Sequence, residues 1–303
     1  MPVQNGYVPT PAPVADYAAA TVFGATRPSD VKDGRLLLPG LGTGNLAAGV
    51  RRYTTPGENW NTPQFDYELP DAVGVENDPD RVADLQADRP QLAAGLTIEQ
   101  SDFLKDPPAG RFEWCLMNPP YTRYNRLDPD AREQYADRFS TAYSRFGLFV
   151  PFVEQALDQL APGGWLTAIL PVKLLTRDDC DRVRDLLRRH YVGNVVLLPD
   201  ETFDEMVVTV MVSVQKQADR TRPTSLWLAN LYPFHLTSIL EGLGVGDVEA
   251  AAAEYRELFE SYRETVQMVE QREAGEQADS GRAGAAAADG GVESDQSSLG
   301  DWA

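Results

Sequence analysis

The chain has 303 residues, of which 46 are acidic and 27 basic, so its formal net charge is −19. This balance excludes the usual basic nucleic-acid binder, as far as charge alone can tell. The length allows one large α/β domain with an appendage, or two small domains, and hydrophobic residues at 43% are enough for a core.

The acidity is concentrated near the end of the sequence, where residues 241–303 carry 15 acidic residues and 4 arginines. Only 4 of the 27 basic residues are lysine. A composition rich in acid and alanine and poor in lysine is similar to that of proteins from salt-accumulating organisms. We therefore interpret the acidic composition as an adaptation to high salt. On this interpretation it indicates the solvent in which the protein works and says little about a binding partner.

Metal chemistry, membrane insertion and secretion are not supported by the sequence. Cys115, Cys180, His190 and His235 have no metal-ligand spacing, so no metal site is expected. No apolar run approaches the length of a membrane span, and the absence of a basic residue before Arg27 excludes a signal peptide. We expect a cytoplasmic protein.

Short apolar strands alternate with amphipathic helices along most of the chain, which predicts a doubly wound, mainly parallel, seven-stranded α/β sheet. Only seven residues join the last two strands, so that pair should be antiparallel. The predicted strands are Arg35–Pro39, Ala72–Glu76, Leu96–Glu99, Phe112–Met117, Gly164–Pro171, Asn194–Leu198 and Met206–Gln217. The predicted helices are Val14–Phe23, one beginning at Asn45, Asp80–Asp88, Gly147–Leu160 and Arg177–His190.

Four further segments have a less regular pattern. Residues 51–71 form a polar insertion that is either a surface loop or a lid over a substrate, and Ser225–Leu231 is a candidate edge strand. Val248–Glu273 has the apolar spacing of a coiled-coil seam. A helix with this pattern could pack on the main domain or pair with a helix of a partner, and the sequence favours neither. Residues 274–303 have the composition of a disordered tail.

A glycine-rich turn, Pro39-Gly40-Leu41-Gly42-Thr43-Gly44-Asn45, follows the first strand and opens a helix. Glycines at such a turn let the backbone approach a ligand closely. No Gly-Lys-Ser/Thr follows, so the turn is not a phosphate-binding P-loop.

Two acidic positions after the next strands suit a nucleoside ligand. Glu76 ends the second strand, where an acid accepts hydrogen bonds from ribose hydroxyls, while Asp78 is better placed to cap the following helix. Asp102 and Phe103 follow the third strand and either hold a purine by its amine and face or belong to a plain turn.

The most specific feature is Asn118-Pro119-Pro120-Tyr121, at the end of an apolar strand. Two prolines hold the backbone, so that the Asn118 amide and the Pro119 carbonyl are presented at the carboxyl edge of the sheet. Together they can accept both protons of a planar amino group, and Tyr121 can stack on the ring that carries it.

The order of these features resembles that of the gamma-class N6-adenine DNA methyltransferases, especially the type II group containing the TaqI and Eco57I methylases. The similarity extends over about residues 5–217 and includes Thr10-Pro11 before the glycine-rich turn. It implies a class I S-adenosylmethionine-dependent fold and methyl transfer to adenine N6 of DNA, as part of restriction-modification. Residues 1–232 would then be the catalytic domain, 233–273 a helical extension and 274–303 the disordered tail.

The resemblance also implies roles for individual residues. S-adenosylmethionine would lie over Gly40, Gly42 and Gly44, with Glu76 on its ribose. Asp102 and Phe103 would hold its adenine, and Thr10 and Pro11 would lie near its methionine part. The residues implied for cofactor binding are Thr10, Pro11, Pro39, Gly40, Gly42, Gly44, Glu76, Asp102 and Phe103. The catalytic set is Asn118, Pro119, Pro120 and Tyr121, with Tyr121 and Phe203 stacking on the two faces of a flipped adenine.

DNA is the implied substrate, but no sizeable target-recognition region follows residue 232. A separate recognition subunit, or a partner helix bound through 248–273, would supply it. Two arginine groups are candidate phosphate contacts, although interleaved acids also suit a solvated helix face. They are Arg123, Arg126, Arg132, Arg138 and Arg145, and then Arg177, Arg182, Arg184, Arg188 and Arg189.

Two alternative functions remain compatible with the residues. One is methylation of another planar amine, on an RNA base or a protein glutamine. The other is a catalytically silent adaptor, which the intact glycines, Glu76 and Asn118-Pro119-Pro120-Tyr121 do not favour.

Overall fold

The computed structural model of the chain describes residues 8–23, 31, 33–54, 70–198, 208–217 and 225–228. All of them belong to one of two units, Met1–Val248. Phe203, most of the 51–71 insertion, the 248–273 helix and the 274–303 tail lie outside the described residues, so the proposed domain boundaries stay predictions.

The helices and strands agree with most of the predicted alternation. The strands are β1 (Arg35–Pro39), β2 (Asp71–Val75), β3 (Thr97–Glu99), β4 (Phe112–Met117), β5 (Leu160–Pro171), β6 (Tyr191–Leu197), β7 (Thr209–Gln215) and β8 (Ser225–Leu228). The helices are α1 (Ala12–Phe23), α2 (Asn45–Thr54), α3 (Pro79–Asp88), α4 (Pro90–Ala93), α5 (Pro129–Arg138), α6 (Phe149–Gln159), α7 (Lys173–Thr176) and α8 (Asp181–Arg188).

Three helical regions differ from the prediction, and the first is the short additional helix α4. Helix α5 is additional, and it begins where the Asp128 side chain accepts hydrogen bonds from two backbone N–H groups, followed by a proline at the first helical position. The predicted helix Arg177–His190 is wrong in its boundaries. The chain instead forms α7, a 3₁₀ turn at Asp178–Cys180 and then α8.

The described sheet has eight strands in the order β3-β2-β1-β4-β5-β7-β6-β8. The predicted mainly parallel sheet is confirmed, as is the antiparallel pairing of β6 with β7. Strand β7 is also antiparallel to β5, so the sheet is mixed at this side. Strand β8 lies within the candidate edge strand Ser225–Leu231 and pairs in parallel with β6, so the described sheet has one strand more than the predicted seven.

Buried side chains cover both faces of the sheet. Leu36 and Leu38 pack with the alanines of α1, whereas Leu37, whose side chain points to the opposite face, is also fully buried. Helices α1 and α2 approach each other closely at Gly49, where a Cβ would lie only 2.5 Å from the Ala15 carbonyl oxygen. Small residues at this crossing therefore set the distance between the two helices.

The strand order reverses between β1 and β4. The chain runs outward from β1 through β2 to β3 and then returns to place β4 in parallel on the other side of β1. Ligands in doubly wound folds bind at the carboxyl edge of the sheet at such a switch point. Gly40, Glu76, Asp102 and Asn118 follow the ends of four neighbouring parallel strands and so meet at this edge.

The described residues contain neither a membrane-spanning helix nor a metal-binding cluster. No helix among them is long and apolar enough to cross a membrane. Nor does that part of the chain contain a cluster of three or more His, Cys, Asp or Glu residues suited to a metal ion.

Candidate active site

The glycine-rich turn is held against the neighbouring strand β2. The backbone N–H groups of Gly40 and Leu41 both donate to the Val75 carbonyl, at 2.9 Å each. Gly40 has φ +69°, and a Cβ there would lie 3.7 Å from the Asn118 carbonyl oxygen. The turn therefore brings the ends of β1 and β4 into direct proximity.

The other two glycines of the turn have different surroundings. Gly44 has φ +78°, and a Cβ on it would lie 2.7 Å from a methyl carbon of Leu85 on α3. Gly42 has φ +56°, and its N–H donates to the Glu76 carboxylate at 2.7 Å. Only Gly40 of the three lines the cleft described below, so Gly44 acts in packing and Gly42 in holding Glu76.

Glu76 is almost completely buried at the end of β2. Besides Gly42, its carboxylate accepts a hydrogen bond from the Asp78 N–H at 3.0 Å, and Arg81 lies 3.5 Å away. A carboxylate has about four lone-pair sites, so these contacts orient Glu76 while leaving it capacity for a further donor. Asp78 caps α3 by accepting from the Asp80 N–H, which confirms its predicted role.

Asp102 and Phe103 lie on the loop after β3. One Asp102 oxygen accepts a hydrogen bond from the Leu104 N–H at 3.0 Å, and the other lies 3.4 Å from the hydroxyl of Tyr135. The buried Phe103 ring packs against Phe152, with 5.4 Å between the ring centroids. The loop therefore presents a carboxylate beside an aromatic surface.

The Asn118 amide is fixed by the segment that precedes α1. Its nitrogen donates to the Val8 carbonyl and to the Thr10 hydroxyl, at 3.0 Å each. Thr10 is buried, and its own carbonyl accepts from the Asn45 amide at the start of α2. These contacts place Thr10 behind Asn118 and leave the Asn118 side-chain oxygen to act as the acceptor.

The Tyr121 side chain reaches back to Asn118, three residues earlier in the sequence. Its hydroxyl lies 2.7 Å from the Asn118 side-chain oxygen and 3.0 Å from the Ile169 carbonyl of β5. Burial raises the pKa of this hydroxyl, so it remains a proton donor. Its ring stacking on a substrate base stays a prediction.

A cleft of about 590 Å³, including the solvent at its mouth, joins these groups. Seven of the predicted site residues line it, namely Gly40, Glu76, Asp102, Phe103, Asn118, Pro119 and Pro120. Sequence reasoning missed further lining residues, including Val8, Tyr135, Leu148 and Phe152. The cap signal Asp128-Pro129 could have revealed the helix that carries Tyr135.

The other predicted site residues that the structure describes do not line this cleft. Thr10, Gly42 and Tyr121 contact residues of its wall, and Gly44 packs on α3. Pro39 ends β1, and the carbonyl of Pro11 accepts from the Ala15 N–H at the start of α1.

Many of the candidate phosphate-binding arginines are held in internal contacts. Arg138 donates to backbone carbonyls of residues 104 and 105, and Arg184 is buried and donates to the carbonyls of residues 174 and 177. Arg132 and Arg182 each stack on a tyrosine ring. Arg123, Arg126, Arg145 and Arg189 are exposed.

The chain is similar to known methyltransferases in both sequence and structure. Residues 62–202 match the family described as Eco57I restriction-modification methylase. A solved structure from Listeria monocytogenes, assigned to the class I S-adenosylmethionine-dependent methyltransferases, superimposes with a TM-score of 0.58 at 19% identity, covering 85% of this chain and 72% of that one. The chain has the class I S-adenosylmethionine-dependent methyltransferase fold.

A type I restriction-modification methyltransferase subunit from Streptococcus thermophilus has the same fold, with a TM-score of 0.56 at 19% identity over 71% of this chain and 46% of that one. The type II methyltransferase M.PaeR7I of Pseudomonas aeruginosa is 34% identical over 80 residues, which are 26% of this chain and 14% of that protein. M.TthHB8I of Thermus thermophilus is 27% identical over 177 residues, which are 54% of this chain and 37% of that protein.

These matches confirm the predicted resemblance to the Eco57I group. The class I methyltransferase fold and the family match together imply S-adenosylmethionine as the cofactor. The chain spans well under half the length of both of these curated relatives.

Proposed function

We propose that this protein transfers a methyl group from S-adenosylmethionine to N6 of adenine in DNA, within a restriction-modification system. The observation that carries the proposal is the position of Asn118, whose anchored amide lines a cleft at the switch point between β1 and β4. The similarity to restriction-modification methylases supports the same reaction class.

The cleft has the chemistry that the cofactor requires. Glu76 can accept a hydrogen bond from a ribose hydroxyl, and Asp102 can accept one from the purine amine. Phe103 supplies an apolar surface, and the Gly40 backbone permits close approach. Thr10 and Pro11 remain candidates for contacts near the methionine part. When bound, the cofactor supplies an electrophilic methyl group.

Asn118 and Pro119 would act by positioning the target amine. The side-chain oxygen of Asn118 and the carbonyl of Pro119 accept its two protons, which draws the nitrogen toward a tetrahedral geometry and localises its lone pair. Catalysis of this kind rests on orientation and electrostatic complementarity and needs no ionisable base. The surplus proton leaves to water after transfer.

DNA recognition would require more than the described residues. In the proposed complex the adenine is flipped out of the duplex, with Tyr121 and Phe203 against its two faces. Phosphate contacts supply most non-specific affinity, and the exposed arginines named above are the candidates for them. We propose that a separate recognition subunit, or a partner bound through 248–273, provides sequence specificity.

The test is methyl transfer from labelled S-adenosylmethionine in molar KCl to unmethylated DNA, to RNA and to protein extract, followed by nucleoside mass spectrometry. We expect N6-methyladenine in DNA, lost in Asn118→Ala and retained in the exposed control Asn125→Ala. Transfer of the label to RNA or protein would overturn the assignment of DNA as the substrate. Cofactor binding without transfer would indicate the missing recognition subunit, whereas no binding at all would favour an adaptor.

A further inference from the structure

Helix α5 follows the Asn118–Tyr121 segment and has one buried residue, Tyr135. The other residues of this helix are exposed or half-buried, so its packing against the domain is centred on this one aromatic side chain. Tyr135 lines the cleft together with Asp102 and Phe103. Part of the cleft wall is therefore formed by α5, a helix that lies outside both the glycine-rich turn and the Asn118–Tyr121 segment.

Two donors on one face of α5 hold the loop that carries Asp102. Tyr135 donates from its hydroxyl to the Asp102 carboxylate at 3.4 Å, and Arg138 donates to the carbonyls of Leu104 and Lys105. Side chains three residues apart lie on the same face of a helix, so both donors reach one loop. Arg138 also donates to Gln155 of α6, which ties the helix to its neighbour.

The Asp102 carboxylate is thereby oriented from three directions. One oxygen accepts from the Leu104 N–H, while the other lies near the Tyr135 hydroxyl and 3.8 Å from the Lys105 ammonium. Because Lys105 is about half exposed, its contribution is screened by solvent. Of the two groups near this second oxygen, the Tyr135 hydroxyl belongs to a buried residue and the Lys105 ammonium to an exposed one.

The hydroxyl keeps its proton throughout the working pH range. Burial, reinforced by the negative charge of Asp102, raises the pKa of Tyr135 to about 12. The group can therefore donate to Asp102 without titrating.

We propose that Tyr135 is a positioning residue that makes the cleft selective for an aminopurine cofactor. Its hydroxyl holds Asp102 as an acceptor facing the purine, so an exocyclic amine is accepted and an oxo group in the same place is repelled. An acceptor that lines the cleft discriminates between a donor and another acceptor, because the wrong ligand leaves the acceptor unpaired. This inference rests on the proposed function.

The test compares the dissociation constants of two stable ligands by calorimetry in molar KCl. They are S-adenosylhomocysteine and S-inosylhomocysteine, in which an oxo group replaces the purine amine. We expect Tyr135→Phe to reduce the wild-type preference for the adenosine ligand by about tenfold, the order expected for loss of a hydrogen bond to a charged group. The exposed tyrosine variant Tyr143→Phe is the matched control and should retain the preference.

A second variant tests whether the effect runs through the carboxylate. In an Asp102→Ala background, the further change Tyr135→Phe should leave the remaining preference unaltered, because the two residues act as one unit. An unchanged preference in Tyr135→Phe alone, or an equal loss of affinity for both ligands, would overturn the inference while leaving the proposed function intact. Failure of the wild-type protein to bind either ligand would overturn both.

Discussion

The side-chain oxygen of Asn118 lies 2.7 Å from the hydroxyl of Tyr121. The same hydroxyl is 3.0 Å from the Ile169 carbonyl, and its single proton can make a full hydrogen bond to one acceptor at a time. Tyr121 thus has an alternative acceptor on β5 when a substrate amine occupies Asn118. This arrangement reconciles an Asn118 oxygen that is paired in the free protein with its proposed role toward substrate.

The two ends of the Asn118 amide have different partners, which makes Asn118→Asp an informative change. The new carboxylate would place an oxygen 3.0 Å from the Val8 carbonyl, where the wild-type amide donates. We expect a loss of about 2 kcal/mol in the free energy of unfolding, because two acceptors are left facing each other in a half-buried position. Denaturant unfolding measures it, with the exposed Asn125→Asp as the control; equal stability of the two variants would contradict the anchoring role.

The Glu76 carboxylate accepts hydrogen bonds from two backbone N–H groups, one on each oxygen. The change Glu76→Gln replaces one of these acceptor oxygens with an NH₂ donor. The glutamine NH₂ group would then face an N–H donor from Gly42 or Asp78. We expect a destabilisation of about 2 kcal/mol together with weaker cofactor binding. Thermal unfolding and calorimetry with S-adenosylhomocysteine check both effects, and the exposed Glu133→Gln should show neither.

Gly44 and Gly163 separate backbone strain from packing. Both have positive φ, +78° and +82°, but a Cβ on Gly163 would meet nothing within 4 Å, whereas one on Gly44 would clash with Leu85. We expect Gly163→Ala to lower the free energy of unfolding by about 1 kcal/mol, from backbone strain alone. Gly44→Ala should lower it by about 2 kcal/mol more, because the new methyl group overpacks the space beside Leu85. If Leu85→Ala fails to relieve part of the Gly44→Ala cost, the packing explanation does not hold.

The raised pKa of Tyr135 predicts a specific loss of stability in alkali. Below pH 10 the hydroxyl is protonated in both the folded and the unfolded chain, so its contribution is fully present. Between pH 10 and about 12 the unfolded chain releases the proton first, and the stability contributed by Tyr135 falls as the pH rises. Unfolding measured at pH 9 and pH 11 should show a smaller drop for Tyr135→Phe than for the wild-type protein; equal drops would contradict the assignment.

Local sequence determined most of the sheet and the candidate catalytic segment Asn118–Tyr121. Strands β1 and β4 have the predicted boundaries because each is a short apolar run that ends at a proline or an Asn-Pro pair, where extended pairing stops. The antiparallel β6–β7 pair followed from a connection too short for a crossover. The glycine-rich turn, Glu76 and Asn118 were recognisable because their chemistry depends on residue type next to a strand end.

Tertiary structure decided which of these residues share a cleft and which support it. Thr10 lies 108 positions from Asn118 in the sequence, and nothing in its local sequence indicates that its hydroxyl accepts from that amide. Likewise, Gly42 and Gly44 read alike in the sequence, yet one holds Glu76 and the other packs on Leu85. Tyr135 became a cleft residue only through the docking of α5 against the Asp102 loop. Contacts between distant segments depend on how whole elements pack, so composition and periodicity determine the elements, whereas the fold alone determines their partners.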